Sequence, residues 1–349
     1  MILAIESSCD ESAMALFAED RGLCGEWIHS QIERHAFYGG VVPDVASREH
    51  LAAFPRLLRE VEKEAPGAIS EIAVTVGPGL AGCLALGVSL AHALSQVYRV
   101  PLYGIHHLRG HLFSPFIRLH ADDPAGFRMA LTGLLPHLGL IVSGGNTLLV
   151  SIETDGHLRV WAKTVDDAAG EALDKGAKLL GMAYPGGPLI EKAGAGGNPG
   201  AFDFPRPSRS GGDDRFSFSG LKTSLRYRLE KMTDAELVRD LRDVCASYES
   251  AVVDALVIKT GQVLRRKRWR SLGLSGGVAN NGRLRKAFAG LAEERRLPLY
   301  IAERGHTGDN AAMIAFAAYA DRDGRWSAKG GRLSFDPALP LLERRLTEA

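Results

Sequence analysis

Two stretches of the chain share one hydrophobic pattern: an apolar run, a short polar turn and a second apolar run. The first is ILAIESSCDESAMALF near the N-terminus, and the second is LGLIVSGGNTLLVSI, residues 138–152. Short apolar runs on either side of a turn predict a β-hairpin. A third turn, SGGVANN, follows the apolar residues 272–274. The repeated pattern predicts two related lobes.

Between the two hairpins the pattern changes to alternating strands and helices. EIAVTV (residues 71–76), a helical apolar stretch over residues 80–93 and VPLYGI predict a β-α-β unit with two parallel strands. Residues 47–65 carry apolar positions at helical spacing, and Pro55 is expected to start or kink that helix. This alternation favours an α/β fold.

Two stretches lack a regular pattern. Residues 120–137, with ADDPAG, are expected to join the lobes. Residues 198–214 are rich in Pro, Gly and Ser and are expected to form a mobile loop, because this composition does not build a core. We therefore expect an N-terminal lobe over residues 1–125 and a C-terminal lobe over residues 126–349. The helix after Asp309 is expected to pack back toward the first lobe.

Size and composition are compatible with this division. The 349 residues exceed the usual size of one core, and 46% hydrophobic with 24% charged residues is ordinary for a globular protein. The formal net charge of +1 excludes a globally basic nucleic-acid binder but leaves room for a local basic face.

Cysteine spacing and the apolar stretches bear on the compartment. The four cysteines contain no C-x-x-C pair, so neither a disulfide framework nor a thiolate zinc site is indicated. The N-terminus lacks the basic segment of a signal peptide, and the apolar run GLAGCLALGVSLAHAL is expected to be too short to span a bilayer. We expect a cytoplasmic protein that does not bind a membrane.

Three glycine-rich turns are candidates for ligand contact. GPGLAG, residues 77–82, matches G-x-G-x-x-G after a strand, but the next strand ends in GIHH rather than in a ribose-binding acid. Tight packing of helix on strand is therefore favoured there over dinucleotide binding. VSGGN and SGGVANN present rows of backbone N–H groups that suit phosphate, although two structural turns would have the same composition. A Ser or Asn donor beside each turn favours a nucleotide.

The segment HHLRGH places His107 and His111 four residues apart, on one face of a helix. Such a pair occurs as metal ligands and also as capping or surface histidines. Asp309, in GHTGDNAAMIAFAA, would complete a set of two histidines and one carboxylate, which suits iron(II) or zinc with open coordination positions. A zinc protease would need H-E-x-x-H, and residue 108 is Leu.

Charged stretches add two further hypotheses. Asp10 and Glu11 are adjacent, so they point in different directions, and either can face a ligand or form part of a solvated turn.

Two stretches, LRRKRWRS (residues 264–271) and LKTSLRYRLEK (residues 221–231), are basic, and each holds an aromatic residue. This composition is typical of nucleic-acid contacts and also of solvated helix faces.

Taken together, these segments resemble the TsaD family, the tRNA N6-adenosine threonylcarbamoyltransferases. The resemblance runs along nearly the whole chain, in the family's order, through ILAIESSCDESAMAL, YGGVVPDVASREH, VGPGLAGCLALG, HHLRGH, LIVSGGNTLL, DDAAGEALDKGAKLLGMAYPGGP, FSFSGLKT, SGGVANNGRLR and GDNAAMIAFA. It implies an actin-like, Hsp70-like and sugar-kinase-like ATPase fold, with two lobes and a ligand cleft between them. It also implies transfer of threonylcarbamoyl from threonylcarbamoyl-adenylate to the N6 amine of the adenosine 3′ of the anticodon, in tRNAs that read codons beginning with adenine.

The resemblance also implies roles for residues. His107, His111 and Asp309 would hold one iron(II) per subunit, with zinc or magnesium as substitutes in vitro. Asp10 or Glu11 is similar to family acids that are needed for activity and would accept the proton of the attacking amine. The donor, with its adenine nucleotide in the cleft, would be bound by Ile141, Val142, Ser143, Gly144, Gly145, Asp174, Gly187, Glu191 and Asn281.

The expected partners are tRNA and, in a bacterium, a shorter paralogue (TsaB) and a small ATPase (TsaE). Asn146, Arg109 and the string HTGDN depart from the family's usual pattern, whereas the three ligands do not. Two other classes stay open: an ATP-dependent small-molecule kinase on the same fold, and a non-catalytic scaffold like the shorter paralogue.

Overall fold

The computed structural model describes residues 1–65, 67–206, 215–328 and 332–342. Residues 207–214 of the predicted mobile loop lie outside the described residues. Two compact units are present: unit 1 comprises Met1–Leu131 and Ala302–Ala349, and unit 2 comprises Thr132–Ile301.

The regular elements alternate along the chain as the sequence pattern indicates. The strands among the described residues are β1 (Ile2–Glu6), β2 (Glu11–Ala18), β3 (Gly22–Ser30), β4 (Glu71–Gly77), β5 (Leu102–His106), β6 (His137–Val142), β7 (Thr147–Ile152), β8 (Leu158–Thr164), β9 (Arg215–Phe216), β10 (Ser271–Ser275), β11 (Leu299–Ile301) and β12 (Trp326–Ser327). The α-helices are α1 (Ile32–Ala36), α2 (Pro43–Glu64), α3 (Ala81–Tyr98), α4 (His107–Phe113), α5 (Ile117–Asp122), α6 (Phe127–Gly133), α7 (Ala169–Leu179), α8 (Gly186–Ala193), α9 (Ser219–Leu229), α10 (Asp234–Leu264), α11 (Gly282–Arg295) and α12 (Ala311–Ala320).

Each unit contains one six-stranded sheet, and the two sheets share a topology. The order is β12-β5-β4-β1-β2-β3 in unit 1 and β11-β10-β6-β7-β8-β9 in unit 2. In both, an antiparallel three-stranded meander is followed by two strands that lie parallel to its first strand. β12 and β9 extend the common five strands at opposite edges. The predicted hairpins are therefore β1–β2 and β6–β7, and the sequence repeat reflects a structural repeat.

The first strand of each sheet is buried along its whole length, as are β7 and most of β4. Such strands are continuous apolar runs because both faces of the sheet are covered. The glycine turn GPGLAG has a packing role here. A Cβ on Gly79 would lie 2.5 Å from the carbonyl oxygen of Ser8, so only glycine allows the turn after β4 to approach the turn after β1 this closely.

Helix α3 is longer than the sequence analysis predicted. With 18 residues it is long and apolar enough to cross a membrane by these two criteria alone. Its buried positions, however, recur at helical spacing on one face, which packs against β4 and α2. They are Cys83, Leu84, Gly87, Val88, Ala91 and Leu94. This one-sided burial is typical of a helix that covers a sheet.

Helix α2 begins at Pro43 and continues through Pro55, so of the two predicted roles of Pro55, a helix start or a kink, the start is wrong. Proline at the first helical position costs no hydrogen bond, since that N–H has no partner within a helix. Pro55 lies on the exposed side of α2. The carbonyl group of Leu51, which a residue with an N–H would bond, therefore faces solvent.

The division into units differs from a single cut after residue 125. The first segment extends to Leu131, and residues from Ala302 onward belong to unit 1, where α12 packs against β1 and β2. The stretch 120–137, expected to be irregular, contains the end of α5 and all of α6. Phe127 is fully buried against the rings of His120 and Phe316, which explains why this short segment is ordered as a helix.

An ion pair joins the two helices that carry the candidate metal ligands. Arg109 on α4 pairs with Asp321, the residue that ends α12, and both side chains are largely buried. Gly324 leaves room for this pair, because a Cβ there would lie 2.3 Å from both the Arg109 guanidinium and the Asp321 carboxylate. Arg109, which departs from the family pattern, therefore has a specific partner in unit 1, the carboxylate of Asp321.

We expect Arg109→Ala to destabilise unit 1 by about 3–5 kcal/mol, because it leaves the Asp321 carboxylate buried without its cation. The measurement is urea unfolding in the presence of a chelator, so that metal binding does not contribute. Because the two side chains act together, Arg109→Ala with Asp321→Ala should cost less than the sum of the single variants. Strict additivity would contradict a direct interaction.

Candidate functional site

The candidate metal centre is formed by α4 and by the residue pair that precedes α12. His106 ends β5, and its side chain accepts a hydrogen bond from the backbone N–H of Leu108, which caps α4. His107 is thus the first residue of the helix, and His111 follows one turn later. Asn310 caps α12 by accepting from the N–H of Met313 at 2.7 Å, which fixes Asp309 immediately before that helix.

These residues bring three ligand atoms together. The Asp309 Oδ1 atom lies 3.1 Å from His111 Nε2 and 3.4 Å from His107 Nε2, and the ligand atoms of the three residues lie within 4.8 Å of one another. Ligand atoms about 2.0–2.2 Å from one ion, in tetrahedral or octahedral directions, lie roughly 3.0–3.5 Å apart. The spacing and the nitrogen and oxygen donors therefore fit a single transition-metal ion such as iron(II) or zinc.

A buried carboxylate orients the first of these histidines. Glu6 is fully buried at the end of β1, and its Oε2 atom lies 3.2 Å from His107 Nδ1. The hydroxyl of Thr75 donates to the same oxygen at 2.5 Å, and the N–H of Ser8 donates to the other at 2.5 Å. A proton on Nδ1, held by Glu6, leaves the Nε2 lone pair free for a metal, which is the usual outer-shell arrangement for a metal-binding histidine.

The electrostatics of this cluster favour a cation. Burial lowers the pKa of His107, but the carboxylates of Asp309 and Glu6 outweigh burial and raise this pKa to about 10. Burial acts to raise the pKa of Asp309, yet His107 and His111 hold it far below its ordinary value. The buried carboxylate of Glu6 and the part-buried carboxylate of Asp309 both lie beside His107, so their charges favour a cation there.

Asp10 and Glu11 lie in the same unit, at the turn after β1. Burial chiefly raises the pKa of both, and the charge of Asp309 raises each further. Glu11 Oε1 accepts from the hydroxyl of Ser30 at 2.8 Å, and Glu11 Oε2 is buried without a hydrogen-bond partner among the described residues. The pKa of Glu11 rises to about 8, which makes it a carboxylate able to exchange a proton near neutral pH.

In unit 2, the turn between β6 and β7 presents an open surface. Ser143 and Asn146 close it, with Ser143 N–H bonding the Asn146 carbonyl at 2.8 Å and Asn146 N–H bonding Ser143 Oγ at 3.1 Å. A Cβ on Gly144 or Gly145 would meet no protein atom within 4 Å. Neither protein packing nor a positive φ explains glycine at these positions. Without side chains, the turn leaves space in which a ligand could approach the backbone.

The two residues before this turn have a different environment. Ile141 and Val142 are fully buried in β6, so their side chains contribute to the core and only their backbone is near the turn. Gly276, with φ of +91°, brings the turn after β10 against them, since a Cβ there would lie 2.3 Å from the Val142 carbonyl oxygen.

Asn281 follows that turn and is held at both ends of its amide. Its Oδ1 atom accepts from the N–H of Leu284 at 2.9 Å and so caps α11, while its Nδ2 atom donates to Glu249 at 2.6 Å. The second oxygen of Glu249, which is buried, accepts from Arg283 at 2.9 Å. The structure therefore gives the Asn281 side chain a structural role beside the glycine turn.

The remaining predicted donor-binding residues link α7, α8 and α11. Asp174 Oδ1 accepts from the N–H groups of Gly186 and Gly187 at 2.7 and 3.2 Å, at the start of α8. Burial raises the pKa of Asp174, and these two bonds oppose that rise. Glu191, one helical turn further along α8, accepts from the N–H of Gly282 at 2.8 Å.

Helix α7 connects this network to the glycine turn. A Cβ on Gly170, at the start of α7, would lie 2.5 Å from the Ser143 carbonyl oxygen. The predicted donor-binding residues are thus neighbours within unit 2, while the three metal ligands, Asp10 and Glu11 belong to unit 1.

Sequence reasoning missed three supporting carboxylates. Glu6 orients His107, Glu249 holds Asn281, and Asp166 accepts from the hydroxyls of Ser217 and Ser219 before α9. A lone acid at the end of the apolar strand ILAIE was a usable indication for Glu6. Glu249 carried a similar indication, because it lies within the apolar stretch of α10.

The duplicated sheets define the actin-like and sugar-kinase-like ATPase fold class. Among solved structures, the chain is similar to T. kodakarensis HypF, with a TM-score of 0.58, 14% identity, and coverage of 93% of this chain and 48% of that one. It is also similar to full-length HypF in a phosphate- and nucleotide-bound form, with a TM-score of 0.59, 11% identity, and coverage of 92% and 46%. At these identities the likeness concerns the fold alone.

Sequence comparison identifies the family. The profile of TsaD, tRNA N6-adenosine threonylcarbamoyltransferase, matches residues 22–316. Proteins of that name from Burkholderia thailandensis and Trichlorobacter lovleyi are 43% identical over 341 residues and 42% identical over 323. These matches cover 95% of both chains in the first case, and 92% of this chain and 91% of the relative in the second. The chain belongs to the TsaD family of tRNA-modifying transferases, which confirms the family, enzyme class and fold class predicted from the sequence.

We expect Glu6→Gln to weaken metal binding about 10–100-fold, because a neutral amide holds the Nδ1 proton of His107 less strongly than a carboxylate does. Competition with a chelator for iron(II) or zinc measures this affinity. Glu249→Gln is the matched control, since it removes another buried, doubly bonded carboxylate, but in unit 2. A folded Glu6→Gln variant with the metal affinity of the parent would remove the orienting role.

Proposed function

We propose that this protein transfers threonylcarbamoyl from threonylcarbamoyl-adenylate to the N6 amine of the adenosine 3′ of the anticodon, in tRNAs that read codons beginning with adenine. The proposal requires one bound iron(II), and zinc or magnesium are alternatives in vitro. The observation that supports it most is the convergence of His107, His111 and Asp309 on one point of unit 1. Neither a sugar kinase nor a scaffold needs this ligand set.

Residues of unit 2 are proposed to bind the donor. The open turn at Gly144 and Gly145 offers backbone N–H groups to the adenylate phosphate. Asp174 uses one carboxylate oxygen for the start of α8, which leaves its other oxygen for a ribose hydroxyl. Ile141, Val142, Glu191 and Asn281 are assigned to the positioning of these groups, because their side chains are buried or engaged within unit 2.

The chemistry is an acyl transfer. His107, His111 and Asp309 would hold the iron(II), which would supply a Lewis acid for the donor. The N6 amine attacks the carbamoyl carbon of the mixed anhydride, a C–N bond forms, the C–O bond to phosphate breaks, and adenylate leaves. Glu11 or Asp10 accepts the proton that the amine loses. Glu11 is favoured, since its Oε2 atom has no partner among the described residues and its pKa is near 8.

The proposed partners follow from the reaction and the family. The acceptor is tRNA, so the protein is assigned to the cytoplasm. In a bacterium we expect the shorter paralogue TsaB to pair with this chain and the small ATPase TsaE to reset the complex. A separate synthase would supply the adenylate.

We expect His107→Ala with His111→Ala to abolish transfer of labelled threonylcarbamoyl from its adenylate to unmodified tRNA, because two of the three ligands are lost. Partners are present in every reaction, and metal content is measured on the same samples. His157→Ala is the control, since His157 is an exposed histidine of unit 2. It should retain both metal and transfer.

Product analysis separates the competing classes. Transfer by the parent and its loss together with the metal support the proposal. A phosphorylated small molecule in place of modified tRNA indicates the kinase class. A parent that transfers nothing and binds no metal indicates a structural role for the histidines and favours the scaffold.

A pH profile tests the proton acceptor. A carboxylate with a pKa of about 8 must lose its proton before it can act as a base, so the transfer rate should rise with pH, reach half its maximum near pH 8 and level off above that pH. Glu11→Gln should lower the rate about 10²–10⁴-fold and abolish this rise. Asp10→Asn, with intact donor binding, is the comparison. An unchanged rate in Glu11→Gln moves the role to Asp10, and unchanged rates in both variants remove it from this turn.

A further inference from the structure

Helix α9 and the residues after it form a basic groove of about 380 Å³ on unit 2. It is lined by Gly220, Thr223, Ser224, Tyr227, Arg228 and Lys231. Residues 219–231 carry four cations and one carboxylate, Glu230, which lies 3.6 Å from Arg226. Among the described residues, neither Arg228 nor Lys231 forms an ion pair with a carboxylate. The groove therefore presents uncompensated positive charge and hydroxyl donors.

The groove starts at the end of the sheet that carries the glycine turn, where β6 and β8 have their C-terminal residues. β8 and β6 run in the same direction, since both are antiparallel to β7, so their C-terminal ends share one edge. β9 is parallel to β8 and ends beside Thr164, and α9 begins three residues later. The start of α9 therefore lies at the same end of the sheet as the turn after β6.

Asp166 holds the start of this helix in place. Its carboxylate accepts from the hydroxyls of Ser217 and Ser219 at 2.6 and 2.8 Å, and from the N–H of Phe218 at 2.8 Å. Leu221 and Leu225 are buried on the inner face of α9, which packs against α7. The outer, basic face is thus presented by a helix fixed at its start and along its length.

Two groove residues suit an RNA strand in particular. Tyr227 is 53% exposed, and the Arg226 guanidinium lies 5.2 Å from the centre of its ring. An exposed ring beside cations is a platform on which an unpaired base can stack. A Cβ on Gly220 would meet nothing within 4 Å, so the groove is open where the helix begins.

The other basic stretch, residues 264–271, lies elsewhere in unit 2. It leads into the first residue of β10, which is parallel to β6. It therefore lies at the N-terminal ends of these strands, whereas the glycine turn lies at their C-terminal ends. Lys267 is engaged there by Glu153 and lies 4.5 Å from the centre of the Trp269 ring. Arg265 and Arg268 are exposed in that stretch.

We propose that the α9 groove binds the phosphate backbone of the tRNA strand that carries the target adenosine, with Arg228 and Lys231 on phosphates and Tyr227 under a base. This inference rests on the proposed function, because it assumes tRNA as the acceptor. The eleven residues of α9 span about 16 Å, which matches roughly four to five nucleotides of a stacked strand. A strand bound along α9 reaches, at the start of that helix, the end of the sheet that carries the proposed donor turn.

The test compares two pairs of neutralised arginines and lysines in the full chain with its partners. Arg228→Gln with Lys231→Gln is expected to weaken tRNA binding about tenfold at low salt. It should also reduce the slope of log affinity against log salt by about 1.4, since two phosphate contacts of a single strand are lost. Arg265→Gln with Arg268→Gln removes the same charge at the opposite edge and should leave affinity and slope near those of the parent.

Tyr227 separates stacking from charge. Tyr227→Ala should weaken binding about 5–100-fold without a change in salt slope, and Tyr227→Phe should restore binding, because the ring rather than the hydroxyl is required. Metal content and binding of the adenylate donor should stay unchanged in all of these variants.

Three results would overturn the proposal. They are an unchanged salt slope in the α9 pair, equal losses from both pairs, and loss of a protein partner rather than of tRNA. The proposed function fails separately, when the parent neither binds tRNA nor transfers to it, and the groove proposal then fails with it. If the parent transfers normally while the α9 pair has no effect on binding, only the groove proposal is lost.

Discussion

The candidate metal centre of unit 1 depends on one part-buried electrostatic contact, in which the carboxylate of Asp309 faces two imidazole nitrogens. Asp309 and His111 are 198 positions apart in the chain, yet their ligand atoms are 3.1 Å apart. All of unit 2 therefore lies between these two ligands in the sequence, and the ligand set forms only when the segment after Ala302 packs onto unit 1. The packing of α12 on β1 and β2 and the cap that Asn310 provides hold this segment in place. Glu6 adds a fully buried carboxylate to the part-buried Asp309, so a cation, whether a proton or a metal ion, stabilises the cluster.

The two units use the same topology for different chemistry. In each unit a glycine lets the turn after one parallel strand approach the end of the first strand closely. In unit 1 Gly79, after β4, lies against Ser8, and in unit 2 Gly276, after β10, lies against Val142. In unit 1 the turn after the first strand is bordered by carboxylates, which attract cations. In unit 2 the corresponding turn contains the exposed residues Gly144 and Gly145, where we propose that the donor phosphate binds. The duplicated sheets thus carry carboxylates at this turn in unit 1 and exposed glycines at the equivalent turn in unit 2.

Features with local causes could be predicted from the sequence. The hairpins, the β-α-β unit and the placement of His107 and His111 on one helical face depend on residues a few positions apart, so periodicity was sufficient. The start of α2 at Pro43 was missed because Pro55 was given more weight than its exposed position allows. The return of residues after Ala302 to unit 1 was anticipated only for the helix after Asp309. The roles of Glu6 and Glu249 depend on partners that the chain brings close only after folding. An acid within an apolar run indicates a buried carboxylate, but it does not indicate which residues that carboxylate contacts.

Arg109 shows how a local pattern and a distant contact combine at the metal centre. It stands two positions from both histidines, and on a helix residues two apart point away from one another. Its guanidinium therefore lies on the side of α4 away from the ligand face, where it pairs with Asp321 at the end of α12. A cation directed at the cluster would compete with the metal for the carboxylates of Asp309 and Glu6. Because it is directed away, the Arg109 guanidinium instead connects α4 with the end of α12. The relative position of these two helices sets the spacing of the three candidate ligand atoms, so the departure from the family pattern at Arg109 is compatible with that spacing.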